Sequence, residues 1–144
     1  MADYNQIASI PNPYTDLPAK NYSGSTIAAA LAVIVDTSNV VSPTSSSNTL
    51  PGIAVPGSAG VPIFGVTVTD IAAGANGLIR TGGAAWIKCE GSITAGTLVQ
   101  ASTTSSKVGW AKALTSAKAQ IGMALSSSTD GELILVLIQP ANNA

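Results

Sequence analysis

The chain of 144 residues has no histidine and a single cysteine, Cys89. The first absence removes the usual general base near neutral pH and the commonest transition-metal ligand. The second excludes an internal disulfide, which fits assembly in a reducing cytoplasm. One cysteine without histidine also leaves no zinc-ligand set. Charge is scarce: only 9% of residues are charged, against a usual share of about 25%. The formal net charge is −1, and the basic residues Lys20, Arg80, Lys88, Lys107, Lys112 and Lys118 form no run. Nucleic-acid affinity rests mostly on Lys and Arg, so no nucleic-acid partner is expected. The longest early apolar run, residues 27–35, falls far short of the roughly 20 residues that span a membrane. It also lies behind polar, proline-rich sequence, unlike a signal peptide. A soluble chain without a membrane partner is expected.

What remains is rich in Ala, Gly, Ser, Thr, Val and Ile, with 46% hydrophobic residues. That apolar share argues for a folded core despite the low charge, and the length fits one domain. The polar surface must rest on hydroxyls and amides, or be covered by partners.

Two stretches organise the rest. Residues 65–74 read GVTVTDIAAG and residues 122–131 read GMALSSSTDG. Each opens with glycine after a large apolar residue, Phe64 or Ile121, and closes with glycine at the same separation. A further pair relates residues 26–33 to 92–99, with Ala30 standing where the later copy has Gly96. The chain therefore reads as a weak duplication of about sixty residues, with halves at 27–81 and 84–140 and a tail at 141–144. Two copies are too few for a solenoid, which needs at least ~3 repeats. The expected fold is all-β, a compact β-sandwich or barrel of two similar halves, and Gly65, Gly74, Gly96, Gly122 and Gly131 are assigned to scaffold turns.

Residues 1–26 differ from the rest of the chain. Pro11, Pro13 and Pro18 come close together, and all three tyrosines, Tyr4, Tyr14 and Tyr22, lie here. Proline disfavours central strands and helices. The segment is expected to be an extended N-terminal arm, read either as a disordered terminus or as an arm that orders on a partner. In the second reading Tyr4, Ile7, Ile10, Tyr14, Leu17 and Tyr22 make the contacts, since tyrosine suits interfaces.

The hydrophobic period places the strands. Residues 27–41 read as a short alanine helix running into a strand or, preferred here, a turn and a strand over 31–35. Residues 42–60 read as a long loop around a short strand at 53–55. Strands are expected over 61–69, 78–81, 84–90, 109–114, 121–125 and 132–139. Asn76-Gly77 and Asp130-Gly131 read as tight turns. In 84–90, Ala85, Ile87 and Cys89 share one face and Trp86, Lys88 and Glu90 the other. Lysine and glutamate seek water, so Trp86 is expected on the solvent side and Cys89 inside. Residues 133–138 are apolar without interruption, which predicts a strand covered on both faces, the second cover being another sheet or another subunit.

No catalytic constellation emerges. The acids Asp3, Asp16, Asp36, Asp70, Glu90, Asp130 and Glu132 are dispersed, and no phosphate-binding motif is present. No enzyme activity, cofactor or small-molecule substrate is expected. Trp86 and Trp110 remain as surface-contact candidates: each caps the core, plugs a subunit interface or stacks on a sugar.

The phrases at 65–74, 91–99 (GSITAGTLV), 121–125 and 130–136 resemble the capsid cement, or decoration, proteins of tailed bacteriophages, over roughly residues 27–138. That resemblance implies a non-enzymatic, head-stabilising virion protein, made in the host cytoplasm and bound to the outer surface of the mature capsid. It implies a homotrimer that clamps neighbouring major capsid protein subunits. The alternative, from the residues alone, is a surface-displayed carbohydrate-binding β-module using Trp86 or Trp110.

Overall fold

In the computed structural model, residues 14–44, 49–58, 60–115 and 119–142 are described. Ten strands account for the regular structure of these residues: β1 Thr15–Lys20, β2 Ala32–Val35, β3 Ile53–Ala54, β4 Gly65–Thr67, β5 Asn76–Gly82, β6 Ala84–Lys88, β7 Leu98–Ala101, β8 Ala111–Ala113, β9 Ala119–Ala124 and β10 Leu133–Asn142. They form two five-stranded antiparallel sheets, ordered β1-β5-β4-β2-β3 and β6-β10-β9-β7-β8. Counted from its own first strand, each half runs 1-5-4-2-3. The fold is all-β, compact and built of two similar sheets, as the glycine-bounded phrases predict.

The repeat extends to individual hydrogen bonds. Ala30 N donates to Thr67 O in the first half and Gly96 N to Ala124 O in the second. Gly74 N donates to Asn21 O, and Gly131 N to Cys89 O. Ile27 bridges Ile71, and Ile93 bridges Ser128. Ala30 shares the left-handed conformation of Gly96, with φ 60° against 90°, so the first turn keeps its geometry without glycine. Gly65 and Gly122 lie not in the turns expected of them but inside strands β4 and β9, and a different constraint fixes them. A Cβ at Gly65 would overlap the Arg80 carbonyl oxygen, and one at Gly122 the Leu137 carbonyl oxygen. The neighbouring strand lies where a side chain would be.

Two apolar clusters result. Ala19, Ile27, Leu31, Val33, Ile53, Ile71 and Ile79 fill the concavity of the first sheet, and Phe64, Ala75 and Trp110 pack against them. Ile87, Cys89, Ile93, Val99, Ile121, Ile134, Val136 and Ile138 fill the second, joined by Ala32, Ile63 and Val66 from the first half. The outer face of the first sheet thus packs against the core of the second. Backbone bonds stitch the join: Lys88 N donates to Ala30 O at 3.0 Å, Ala32 N to Gly109 O at 2.8 Å, and Ile138 N to Gly83 O at 2.8 Å.

Three expectations are corrected. Residues 15–20 belong to no free arm: β1 pairs along its length with β5, Ala19 opposite Gly77 and Lys20 opposite Asn76. Pro18 is tolerated because β1 is a sheet edge, so the β-domain includes Thr15–Lys20 and is not confined to residues from 27 onward. Asn76-Gly77 is not a tight turn but the start of β5. The chain reverses at 72–75, where Ala75 N donates to Ala72 O, and Gly77 is packed under the Ile71 side chain. Finally, no second sheet among the described residues covers the outer face of β10, which leaves only another subunit as its expected second cover. Ile134, Val136 and Ile138 are buried, whereas Leu133 is exposed and Leu135 and Leu137 are half-buried.

Candidate functional site

The residues singled out for contact fall into three places. Tyr4, Ile7 and Ile10 lie outside the described residues. Tyr14, Leu17 and Tyr22 are anchored on the β-domain. The Tyr14 ring covers the Arg80 guanidinium at 3.9 Å. Leu17 is an exposed side chain of β1. The Tyr22 hydroxyl donates to Leu50 O at 3.4 Å, with Lys20 Nζ 4.9 Å from its ring centroid.

Arg80 organises this end of the molecule. Its Nε donates to Asp16 Oδ1 at 3.0 Å, and its Nη1 donates to Ala84 O at 3.2 Å. One cation therefore fastens β1 to β5 and both to the start of β6. A planar, always-charged fork suits this shared role, which a lysine ammonium cannot reproduce.

The two tryptophans separate. Trp110 is half-buried against the first-half core, with Lys88 Nζ at 5.3 Å and Lys107 Nζ at 5.5 Å from its ring. It comes from the second half and closes the first, a packing role. Trp86 stands outward on β6 with 54% of its surface exposed, where alternation with Ala85 and Ile87 places it. It borders a cavity of about 240 Å³ at the join of the sheets, lined by Ala29, Ala30, Val68, Arg80, Ala85 and Leu133 among others.

Trp86 also begins an apolar surface that the residue pattern does not disclose. Leu135 pairs with Trp86 across β6–β10, and Leu125 N donates to Leu135 O on the other side. One row deeper, Ala84, Leu137, Met123 and Leu98 follow each other across four strands. Leu98, Leu125 and Leu133 are 42%, 44% and 49% exposed. The signal for this surface lies in the uninterrupted apolar run at 133–138, which predicts burial on both faces without saying whether the same chain or another supplies the second cover.

The titratable groups serve local structure. Burial pushes the Cys89 thiol up from its ordinary pKa, and its Sγ donates to Gly91 O. It is fully enclosed, as the alternation predicts, and is not an activated nucleophile. Asp130 accepts from Lys107 Nζ at 2.6 Å and from Gly91 N at 2.8 Å, which holds its carboxyl below the ordinary range. Glu90 is likewise lowered, first by the Ser102 hydroxyl. Among the described residues no group of three or more His, Cys, Asp or Glu could hold a metal ion, and no helix is long and apolar enough to cross a membrane.

No protein-family model and no curated protein matches the chain. Among solved structures, the chain is similar to the N base of the head fiber protein gp8.5 of bacteriophage phi29. The TM-score is 0.61 at 14% sequence identity, covering 89% of this chain and 98% of that one. The architecture of two repeated sheets is therefore shared, nearly end to end, with the base of a phage head fiber.

Proposed function

We propose that this chain is a non-enzymatic structural protein of a bacteriophage virion. In this reading it binds the outer surface of the mature capsid as a homotrimer and clamps neighbouring major capsid subunits. The observation that carries the reading is the likeness to the phi29 head fiber base over 89% of the chain. Its weight is increased by the glycine-spaced phrases at 65–74 and 122–131, which resemble capsid cement proteins. The low charge and the exposed apolar side chains around Trp86 suit a protein whose work is contact.

The mechanism is added interface. A standard contact buries roughly 1,600 Å² in total, and a trimer multiplies modest contacts by raising the effective concentration of the second and third. Binding that discriminates the mature lattice from its precursor stabilises the mature one by mass action. The protein is made in the host cytoplasm and acts on the virion.

Co-sedimentation tests this. The full chain is expected to pellet with mature capsids and to stay in solution with immature ones. Deleting residues 2–13, which leaves every described strand intact, is expected to weaken capsid binding. Equal pelleting with both lattices sinks the maturation-specific clamp, and no pelleting with either sinks capsid binding.

A carbohydrate-binding reading has one specific observation in its favour, the exposed Trp86 beside the cavity of about 240 Å³. An indole face of this kind stacks on sugar rings. A flat tryptophan fluorescence titration across a broad glycan panel would dispose of it.

A further inference from the structure

The two sheets are treated unequally by their own chain. On the first sheet, the outward residues Ala32 and Val66 are buried because the second half packs on them, with Ile63 in the same cluster and Ile34 against it. Leu98 and Met123 occupy the matching positions of the second sheet, and nothing among the described residues packs over them to the same degree: Leu98 is 42% exposed and Met123 half-buried. Around them lie Trp86, Leu125, Leu133, Leu135 and Leu137.

We infer that this outer face of β6, β10, β9 and β7 is where copies of this chain pack on one another. The inference rests on the oligomeric part of the proposed function and names its interface. The occupant follows from three features. The fold already satisfies the matching face of its first sheet by stacking a unit of the same architecture on it, so a second copy continues an interface the chain itself contains. These apolar residues include no acid, and the cations beside them are engaged: the Lys88 ammonium lies 5.3 Å from the Trp110 ring, and Arg80, which lines the Trp86 cavity, pairs with Asp16. Copies converging on this face therefore bring few unpartnered charges into contact, whereas a strongly acidic or basic partner would find little complement here. The side chains form a continuous apolar centre with Ser126 and Ser127 beside it. An interface of roughly 800 Å² per copy surrounds such a centre with a polar rim. An exposed tryptophan at one margin of the centre, on the edge strand β6, is of the residue type that dominates contact energies.

Sedimentation velocity on the full chain tests the assignment, with Leu125→Glu and Leu133→Glu as variants. Both positions are already more than two-fifths exposed, so the monomer tolerates the change, which circular dichroism and the unfolding midpoint verify. Leu78→Glu, at a 48% exposed position of the first sheet, is the control. The wild type is expected to assemble, and both second-sheet variants to dissociate at least about 100-fold more readily, because each buries an unpaired carboxylate. Leu78→Glu is expected to leave assembly unchanged. Acrylamide quenching of wild-type tryptophan should weaken as concentration rises, a readout that needs no variant. A wild type that stays monomeric at about 100 μM, the level at which an affinity of this class would show, overturns the inference. So does assembly that survives both variants, or that Leu78→Glu disrupts equally. Capsid co-sedimentation is scored separately. A trimer that ignores capsids defeats the capsid reading alone, and a capsid-binding monomer defeats this interface alone.

Discussion

The first and second halves share one strand order, yet they stabilise matching positions with different chemistry. Where the first half has Asn21, the second has Cys89. Both main-chain carbonyls accept the same bond from a turn glycine, Gly74 or Gly131. The side chains differ. Asn21 Nδ2 donates to Ser25 O and Ile71 O, while its Oδ1 accepts from Ser23 N and Ser23 Oγ. Cys89 fills the matching volume with a thiol that makes one weak bond. Likewise Ala29 N is received by the Asp70 carboxylate, and Ala95 N by the Ser127 hydroxyl. A duplicated backbone sets which groups need partners, and leaves open which side chains supply them.

The largest predicted effect concerns the one pair where no alternative exists. A Cβ at Gly122 would strike the Leu137 carbonyl oxygen and lie 2.9 Å from Gln139 N. Both are backbone atoms inside β10, so nothing yields cheaply. Gly122→Ala is expected to cost about 3 kcal/mol or more, and Gly65→Ala about 2 kcal/mol because part of its obstacle is the Ile79 side chain. Urea midpoints at constant m-value measure both. Equal, small losses would show that the two halves do not depend on this close approach.

Next comes the polar hub. Asn21 has no exposed surface. Asn21→Ala removes the amide bonds to the Ser25, Ile71 and Ala72 carbonyls and the acceptor of Ser23 N and Oγ, although Ile71 O keeps Ile27 N and Ala72 O keeps Ala75 N. A lost hydrogen bond costs about 0.5–1.5 kcal/mol net, so with several lost at once a loss of about 2–3 kcal/mol is expected. Cys89→Ala removes one sulfur from a packed site and should cost about 1 kcal/mol. If the two losses are equal, hydrogen bonding does not distinguish the halves at this position.

The sequence shows the first of these effects and hides the second. Glycine recurring after Phe64 and Ile121 marks a backbone constraint that survives any change of neighbouring side chains. The exchange of Asn21 for Cys89 leaves no pattern, because an asparagine beside Tyr22 and Ser23 looks like any polar loop residue. Period-two alternation places Trp86 outside and Cys89 inside, since a strand's two faces follow from local geometry alone. β1 stays hidden for the opposite reason: two of its six side chains are charged and one is Pro18, so only its pairing with β5 makes it a strand. Tertiary pairing overrides propensity at such edges. The apolar run at 133–138 announces burial, but whether the cover is the same chain or another one is not a local property. For the same reason the patch around Leu98, Met123 and Leu125 emerges only when the cross-strand register is known.

Acid should separate the halves by a smaller margin. The Lys107 ammonium and the Gly91 amide favour the charged form of Asp130 in the fold. A carboxyl lowered in this way stabilises the native state above its ordinary value of 3.8, and the contribution fades as pH falls through the lower folded value. Asp130→Asn is therefore expected to remove a small contribution at neutral pH, to flatten part of the pH dependence of unfolding below about pH 4, and to have little effect in strong acid, where the wild type has already lost it. Glu90, lowered first by the Ser102 hydroxyl, supplies a residual slope in the same direction. Protection of the Gly91 amide against hydrogen exchange, relative to its intrinsic rate at each pH, should fall first on acidification, and unchanged protection there would detach Asp130 from this role.

The smallest effect is the one where the first half carries the less suitable residue. Ala30 adopts φ 60° where Gly96 has 90°, and both amides donate to matching carbonyls across the sheet. A side chain in the left-handed region costs roughly 1–2 kcal/mol, while glycine there costs about 0.5–1 kcal/mol through the greater freedom of the unfolded chain. The terms nearly cancel, which explains how alanine persists. Ala30→Gly is expected to stabilise the protein by about 0.5 kcal/mol, and Gly96→Ala to destabilise it by about 1 kcal/mol, since glycine already occupies a turn that alanine must enter with strain. Thermal unfolding of the single variants and of the exchanged pair tests this, and near-additivity is expected because the two turns lie in different halves. Destabilisation by Ala30→Gly would mean that the alanine methyl, which borders the Trp86 cavity, contributes packing that outweighs its backbone strain.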